Sequence, residues 1–311
     1  MMRRVLTLLV SGCCCLAAAE GQRQSEQNAT QVLPLAQYES LNLASQVVQS
    51  ISAGIAVQND NLLMVAMLNG STFDEPLSNT SAANLYTLDT LVDAHVGRHQ
   101  VIASIQSEAD QPFSFHWQDV QLGLVYGYEI VAQPNVSVVA GGGLAYGDFG
   151  LETSAGENWP LLPIPLLRVN YRSNFADAKF EFLTTPNLTV TLAPNNPLRL
   201  TGDVRFDQLR NARDIIFEAA LHYRFFTPDH AYGDFAGVAV GLKNDHFSSY
   251  SLMDEVAPAE LQYMAAFVTL DATLVKVTTG YAFANRMYQE DQDEQAFGDG
   301  FYVSVQGMFA F

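Results

Sequence analysis

The sequence predicts an all-β fold: a single-chain transmembrane antiparallel β-barrel of about twelve strands, within a range of about ten to fourteen. Three observations carry this. Apolar and polar residues alternate with period two through segments of about nine to thirteen residues, the length that crosses a bilayer at a tilt. The connections between segments alternate between short and long, and aromatic residues gather at segment ends.

The opening, MMRRVLTLLVSGCCCLAAAEGQ, carries Arg3 and Arg4, then an apolar run from Val5 to Ala19, then polar sequence. This is the plan of a secretory signal peptide, assigned to residues 1–19. Cleavage after Ala17-Ala18-Ala19 competes with a lipobox reading of Val10-Ser11-Gly12-Cys13. Cys13, Cys14 and Cys15 all lie here, so removal at Ala19 leaves no thiol for disulfides or nucleophilic chemistry. Beyond Ala19 no window approaches the roughly 18 to 20 consecutive apolar residues of a membrane helix.

A chain of 311 residues that is 49% hydrophobic and 15% charged does not stay disordered. With Arg3 and Arg4 removed, 33 acids face 13 bases, a formal −20, which argues against a nucleic-acid partner. That charge suits wet surfaces, or cation preference at a pore.

Residues 20–49 lack clean alternation and read as an N-terminal periplasmic extension or plug-like segment, with the barrel over 50–311. About 260 residues at about 20 to 22 per strand and connection give twelve strands, and single-chain barrels favour even numbers. The segment 120–131 sets Leu122, Leu124, Tyr126, Tyr128 and Ile130 against Gln121, Gly123, Gly127 and Glu129. LRLTGDVRFD, 198–207, and DIIFEAALHYRFF, 214–226, do the same. Short connections are expected at 132–135, 194–197 and 271–273, and long ones at 70–84, 107–118, 148–162, 246–258 and 286–299. A soluble sandwich has no reason for that asymmetry. Gly141-Gly142-Gly143 lacks the context of a phosphate cradle and fits close packing in a strand.

The chain closes on GFYVSVQGMFAF, with Phe301, Val303, Val305, Phe309 and Phe311 on one face and Tyr302, Ser304, Gln306 and Met308 on the other. This resembles the C-terminal strand of Gram-negative outer-membrane proteins, in which alternating apolar residues ending in Phe are the sorting signal. The segment 161–205 is similar to a family of uncharacterised proteobacterial outer-membrane barrels. The resemblance implies a bacterial outer-membrane location, contact with outer-membrane lipids and lipopolysaccharide, recognition of the Phe311 strand by the barrel-assembly machinery, and a monomer.

If Phe217, Leu221 and Phe225 meet lipid, period two turns Glu218, His222 and Arg224 inward. The same parity sends Arg168, Asn170 and Arg172 inward from LLRVNYR, Lys179 and Glu181 from AKFEF, and Arg199, Asp203 and Arg205 from LRLTGDVRF. Such a lumen-lining wall implies a charged constriction that passes or binds small solutes, or a salt-bridged filling that passes only ions. His222 and Glu218 stand about 13 Å apart along one strand, so each needs a cross-strand partner. No cofactor, metal or catalytic set is expected. The alternatives are an outer-leaflet lipid-modifying enzyme using Ser114 and His116 near Asp119, and a structural or adhesion barrel acting through its loops. Glu290, Asp291, Asp293 and Glu294 read as a solvated acidic loop, lacking the turn glycine and terminal glutamate of a calcium loop.

Overall fold

The computed structural model describes residues 30–112, 119–147, 160–183, 185–206, 215–225, 236–252, 259–272, 275–288 and 295–308. The signal peptide, Ser114, His116, the acidic loop residues and Phe309 to Phe311 lie outside the described residues. The first strands are β1 (Gln31–Leu43), β2 (Val47–Gln58), β3 (Leu62–Phe73), β4 (Asn84–Val96), β5 (His99–Ala109), β6 (Gln121–Gln133), β7 (Val136–Tyr146) and β8 (Leu161–Arg172). They continue as β9 (Ala176–Phe182), β10 (Pro186–Leu192), β11 (Leu198–Phe206), β12 (Ile215–Arg224), β13 (Ala236–Ser248), β14 (Glu260–Ala272), β15 (Val275–Tyr288), β16 (Gln295–Ala296) and β17 (Gly300–Met308).

Each strand pairs antiparallel with its neighbours in sequence, and β1 pairs with β17 from Leu35↔Met308 to Leu43↔Gly300, closing the sheet. The two-residue β16 pairs only with the end of β15, so sixteen strands form the wall. Closure leaves no unpaired edge, the condition for a sheet to sit in hydrocarbon. Among the described residues no helix is long and apolar enough to cross a membrane.

Sixteen strands correct the expected twelve. Gln31 to Met308 averages about 17 residues per strand and connection rather than 20 to 22, because tight hairpins dominate one end. There the connections run from two to five residues, apart from 225–235. The β4–β5 turn is Gly97-Arg98, with Gly97 at φ 61°, a left-handed conformation that glycine adopts without strain. At the other end, six of eight connections hold eight to fourteen residues. The expected division into short turns and long loops is therefore present.

A second correction concerns residues 31–49. They are no extension ahead of the barrel: they form β1 and the start of β2, bonded to each other and to β17. Their alternation is hidden because both faces are apolar. Leu33, Leu41 and Leu43 point inward and are buried, while Val32 and Tyr38 point outward and are exposed.

The outer face is a continuous apolar surface, carrying Ile51, Leu124, Tyr126, Leu144, Leu200, Leu221, Val240, Val268 and Leu270 among its exposed side chains. The inner face is partly packed. One cluster, including Leu41, Val48, Phe73, Phe247, Tyr263 and Tyr302, fills the seam side toward the long-loop end. Another, including Leu91, Ile102, Val125, Val139, Ile164 and Leu166, fills the inside of β4–β8. Glycines make the second possible. A Cβ at Gly127 would lie 2.7 Å from Leu166 Cδ2 and Val139 Cγ1, and one at Gly141 or Gly143 would overlap the carbonyl oxygen of Tyr126 or Leu124.

Candidate functional site

Apolar side chains fill both flanks, and the interior's lysines and arginines are concentrated on β8–β15. Between residues 31 and 146 the only base is Arg98, in a turn, so β1–β7 contain no lysine or arginine. The strands β8–β15 contain nine, and eight of these share the inward parity. Arg286, near the long-loop end of β15, is exposed.

The registers place the inward residues in rows. Arg168 faces Glu181, and Asn170 faces Lys179, across β8–β9. Arg172 faces Asp177 in the same ladder. Arg199 faces His222, Asp203 faces Glu218, and Arg205 faces Ile216 across β11–β12. Glu218 in turn faces Lys243 across β12–β13. The strands of this wall are contiguous, so residues as far apart in sequence as Arg168 and Lys243 line one surface.

Two charged knots stand out. In the first, Arg168 Nε donates to Glu181 Oε2 at 2.7 Å and Arg168 Nη1 donates to Asp93 Oδ2 at 3.2 Å. Asp93 lies on β4, so this contact reaches inside the barrel past three intervening strands. Gln100 Nε2 donates to both Asp93 oxygens at 2.7 and 2.9 Å, and His95 Nε2 lies 3.1 Å from Asp93 Oδ1. Lys179 Nζ approaches Glu181 Oε2 at 3.6 Å. The side chains of Arg168 and Asp93 are each only 12% exposed and that of Glu181 9%. In this setting each charge depends on its partners.

In the second knot, Asp245 receives Arg205 Nη2 at 3.5 Å and Lys243 Nζ at 3.3 Å. Lys243 Nζ also sits 4.0 Å from the Tyr302 ring centroid and 5.6 Å from that of Tyr263, a cation–π arrangement. Tyr302 Oη donates to Glu39 Oε1 at 2.9 Å, which carries the network across the seam from β17 to β1.

Elsewhere on the wall Thr189 Oγ1 donates to Asp203 Oδ2 at 2.7 Å. His222 finds its cross-strand partner in Thr201, with Nε2 and Oγ1 2.7 Å apart, and Glu218 is not among its bonded partners. Arg224 lies two residues beyond His222 on the same face, at the short-turn end.

The lumen-lining set read from the sequence lacks Asp93, Gln100, Lys243, Asp245 and Glu39, and it places Tyr302 on its face without a role. The alternation Leu85, Thr87, Asp89, Leu91, Asp93 in β4 and Lys243, Asp245, Phe247 in β13 is the signal that identifies their face. Asp119, grouped with Ser114 and His116 by sequence, accepts a hydrogen bond from Tyr250 Oη at 3.2 Å. Among the described residues no group of three or more His, Cys, Asp or Glu side chains is placed to hold a metal ion.

A closed antiparallel barrel with an apolar outer face and a polar, charge-bearing interior is a transmembrane β-barrel of the bacterial outer-membrane class, and the outer membrane is where this protein resides. No family model matches the sequence, and no curated protein is similar to it. Among solved structures the chain is similar to CdiB from Acinetobacter baumannii, with a TM-score of 0.51 and 10% identity over 89% of this chain and 60% of that one. The chain thus spans less than two thirds of CdiB, and the likeness concerns the fold alone. The Pseudomonas aeruginosa protein OpdK, solved with vanillate, gives a TM-score of 0.41 at 10% identity, over 92% of this chain and 100% of that one. OmpT of Vibrio cholerae gives 0.32 at 11%, over 92% and 99%.

Proposed function

We propose that the protein is a channel that passes or binds small polar solutes in a narrow, charge-lined lumen. The observation that carries this reading is the inward row of ionisable side chains on contiguous strands: Arg168, Arg172, Lys179, Glu181, Arg199, Asp203, Arg205, Glu218, His222 and Arg224, with Asn170 among them. Hydrocarbon lies outside such a wall, and charged side chains on its inner side need water or each other. Barrels of sixteen strands are wide enough for an aqueous channel, and here the two apolar clusters narrow it. A narrow path beside fixed charges discriminates among solutes by charge and size.

The experiment is single-channel recording of the purified protein in planar bilayers. Wild-type protein is expected to give discrete steps of small conductance. Arg205→Gln and Arg224→Gln each remove an inward positive charge, so the reversal potential in a salt gradient should move toward cation selectivity. Folded protein that gives no steps, or variants whose selectivity is unchanged, would remove the channel reading.

A further inference from the structure

We infer that the inner face of β4–β6, toward the long-loop end, holds a site for one hard cation of calcium's size, bound by oxygen alone. The inference goes beyond the channel reading and stands whether or not the lumen conducts.

The site is built on one row of the sheet. Asp89 of β4 lies opposite Gln106 of β5, and Gln106 lies opposite Gln121 of β6. Directly opposed residues on antiparallel strands keep their Cβ atoms about 4.5–5.5 Å apart, so the three side chains emerge side by side on the inner wall. In the adjoining pair Thr87 lies opposite Glu108, which is also buried. Toward the short turns the same face continues into the apolar cluster of Leu91, Ile102 and Val125.

The oxygens of this row are only partly used. Asn69 Nδ2 donates to Asp89 Oδ2 and to Thr87 Oγ1, each at 2.8 Å, and Thr87 Oγ1 donates to the same Asp89 oxygen at 3.1 Å. Both donors therefore meet Oδ2. Asp89 Oδ1, Gln106 Oε1 and Gln121 Oε1 are buried with no hydrogen-bond partner among the described residues. Asp89 and Gln106 are each only 8% exposed, so bulk water does not supply what the protein withholds. A buried acceptor left unmet is costly, and here three stand on consecutive strands.

The charge of Asp89 is also unanswered. The carboxylates of the two knots each meet Arg168, Arg205 or Lys243. Asp89 bonds neutral groups, and β1–β7 contain no lysine or arginine. A buried carboxylate stays ionised when a cation is paired with it. Calcium accepts carboxylate and amide oxygens together, at about 2.3–2.6 Å, and neutral oxygens supply most of the ligands here. Asp89 gives the charge, and Gln106 and Gln121 give the amide oxygens. The row holds no imidazole or thiolate, the ligands that draw zinc or copper.

The test uses the full-length protein purified in detergent, stripped of divalent ions with EDTA and titrated calorimetrically with Ca²⁺, with Mg²⁺ in a separate arm. Wild-type protein is expected to bind Ca²⁺, and to bind Mg²⁺ less tightly because the smaller ion demands a stricter octahedron. Asp89→Asn should weaken the Ca²⁺ affinity by about tenfold or more. Gln106→Leu should weaken it less, and Asp60→Asn, in the exposed β2–β3 turn, should leave it unchanged. Ca²⁺ should raise the urea midpoint of the wild type and not that of Asp89→Asn. Heat-modifiable gel mobility checks that each variant is folded. Folded wild-type protein that binds no Ca²⁺, or binds it equally after Asp89→Asn, overturns the inference, and Gln106 is then a hydrogen-bond donor to Asp89. Tighter binding of Mg²⁺ than of Ca²⁺ overturns the assignment to an ion of calcium's size. Binding without conductance keeps the site and removes the channel; conductance without binding does the reverse.

Discussion

Replacing Arg168 with alanine is expected to destabilise the barrel by about 3–5 kcal/mol, the cost of removing one partner from a buried ionic group. Arg168 is the only residue whose side chain is bonded to both Asp93 and Glu181 among the contacts described, at 3.2 and 2.7 Å. Without it two nearly buried carboxylates face each other's charge. Gln100 still donates to Asp93, and Lys179 still approaches Glu181 at 3.6 Å, so the loss is not total. The triple variant Arg168→Leu, Asp93→Asn, Glu181→Gln removes all three charges together and should recover most of the stability. Urea titration in detergent, read by the folded-to-unfolded gel shift, measures both. Equal destabilisation of the single and triple variants would show that the charges are not coupled.

The second large effect is expected on the other face. Ile51 is 63% exposed in the middle of β2, and its neighbour Ser52 points inward, paired with Asn69 across β2–β3. Ile51→Arg places a cation in hydrocarbon and should cost about 2–4 kcal/mol if it sits near the bilayer midplane. Ser52→Arg places the same side chain one residue away, against the polar interior, and should cost a small fraction of that. The comparison introduces the same side chain at two adjacent positions of one strand, so the medium that each face meets is the main difference. Stability measured in lipid vesicles decides it: similar losses at both positions would contradict the assignment of faces.

How much of this was legible in the sequence differs between fold and site. Period-two parity reads the faces of β6, β11 and β12 directly, since there the outward residues are nearly all apolar and the inward ones are polar, glycine or small more often than not. It fails over β1 and β8. In LLPIPLL of β8, Leu162, Ile164 and Leu166 point inward to the apolar cluster while Leu161, Pro163, Pro165 and Leu167 point outward, and a strand apolar on both faces shows no alternation. The strand count fell short for a related reason. The seven-residue strands β9 and β10 and their three-residue connection together fit within the length that the sequence analysis allows for a single strand and its connection.

In the site, parity places each ionisable residue on a face but says nothing of partners beyond the adjacent strand. Asp93 and Arg168 are 75 positions apart, and Lys243 meets Tyr302 across two intervening strands. Those contacts depend on how far the barrel interior is narrowed, and that follows from inward glycines at 127, 141 and 143 whose effect appears only once β6, β7 and β8 are folded together.

The account depends on one wall having lipid behind it and water in front of it, and β10 offers the most direct measurement. Spin labels on cysteines introduced at Leu188, which is exposed on the outer face, and at Thr191, which pairs with Thr201 on the inner face, can be compared in vesicles. The Leu188 label should relax with oxygen dissolved in the bilayer and be shielded from a water-soluble nickel chelate, and the Thr191 label should do the reverse. A Thr191 label reached only by oxygen, or a Leu188 label reached by nickel, would contradict it.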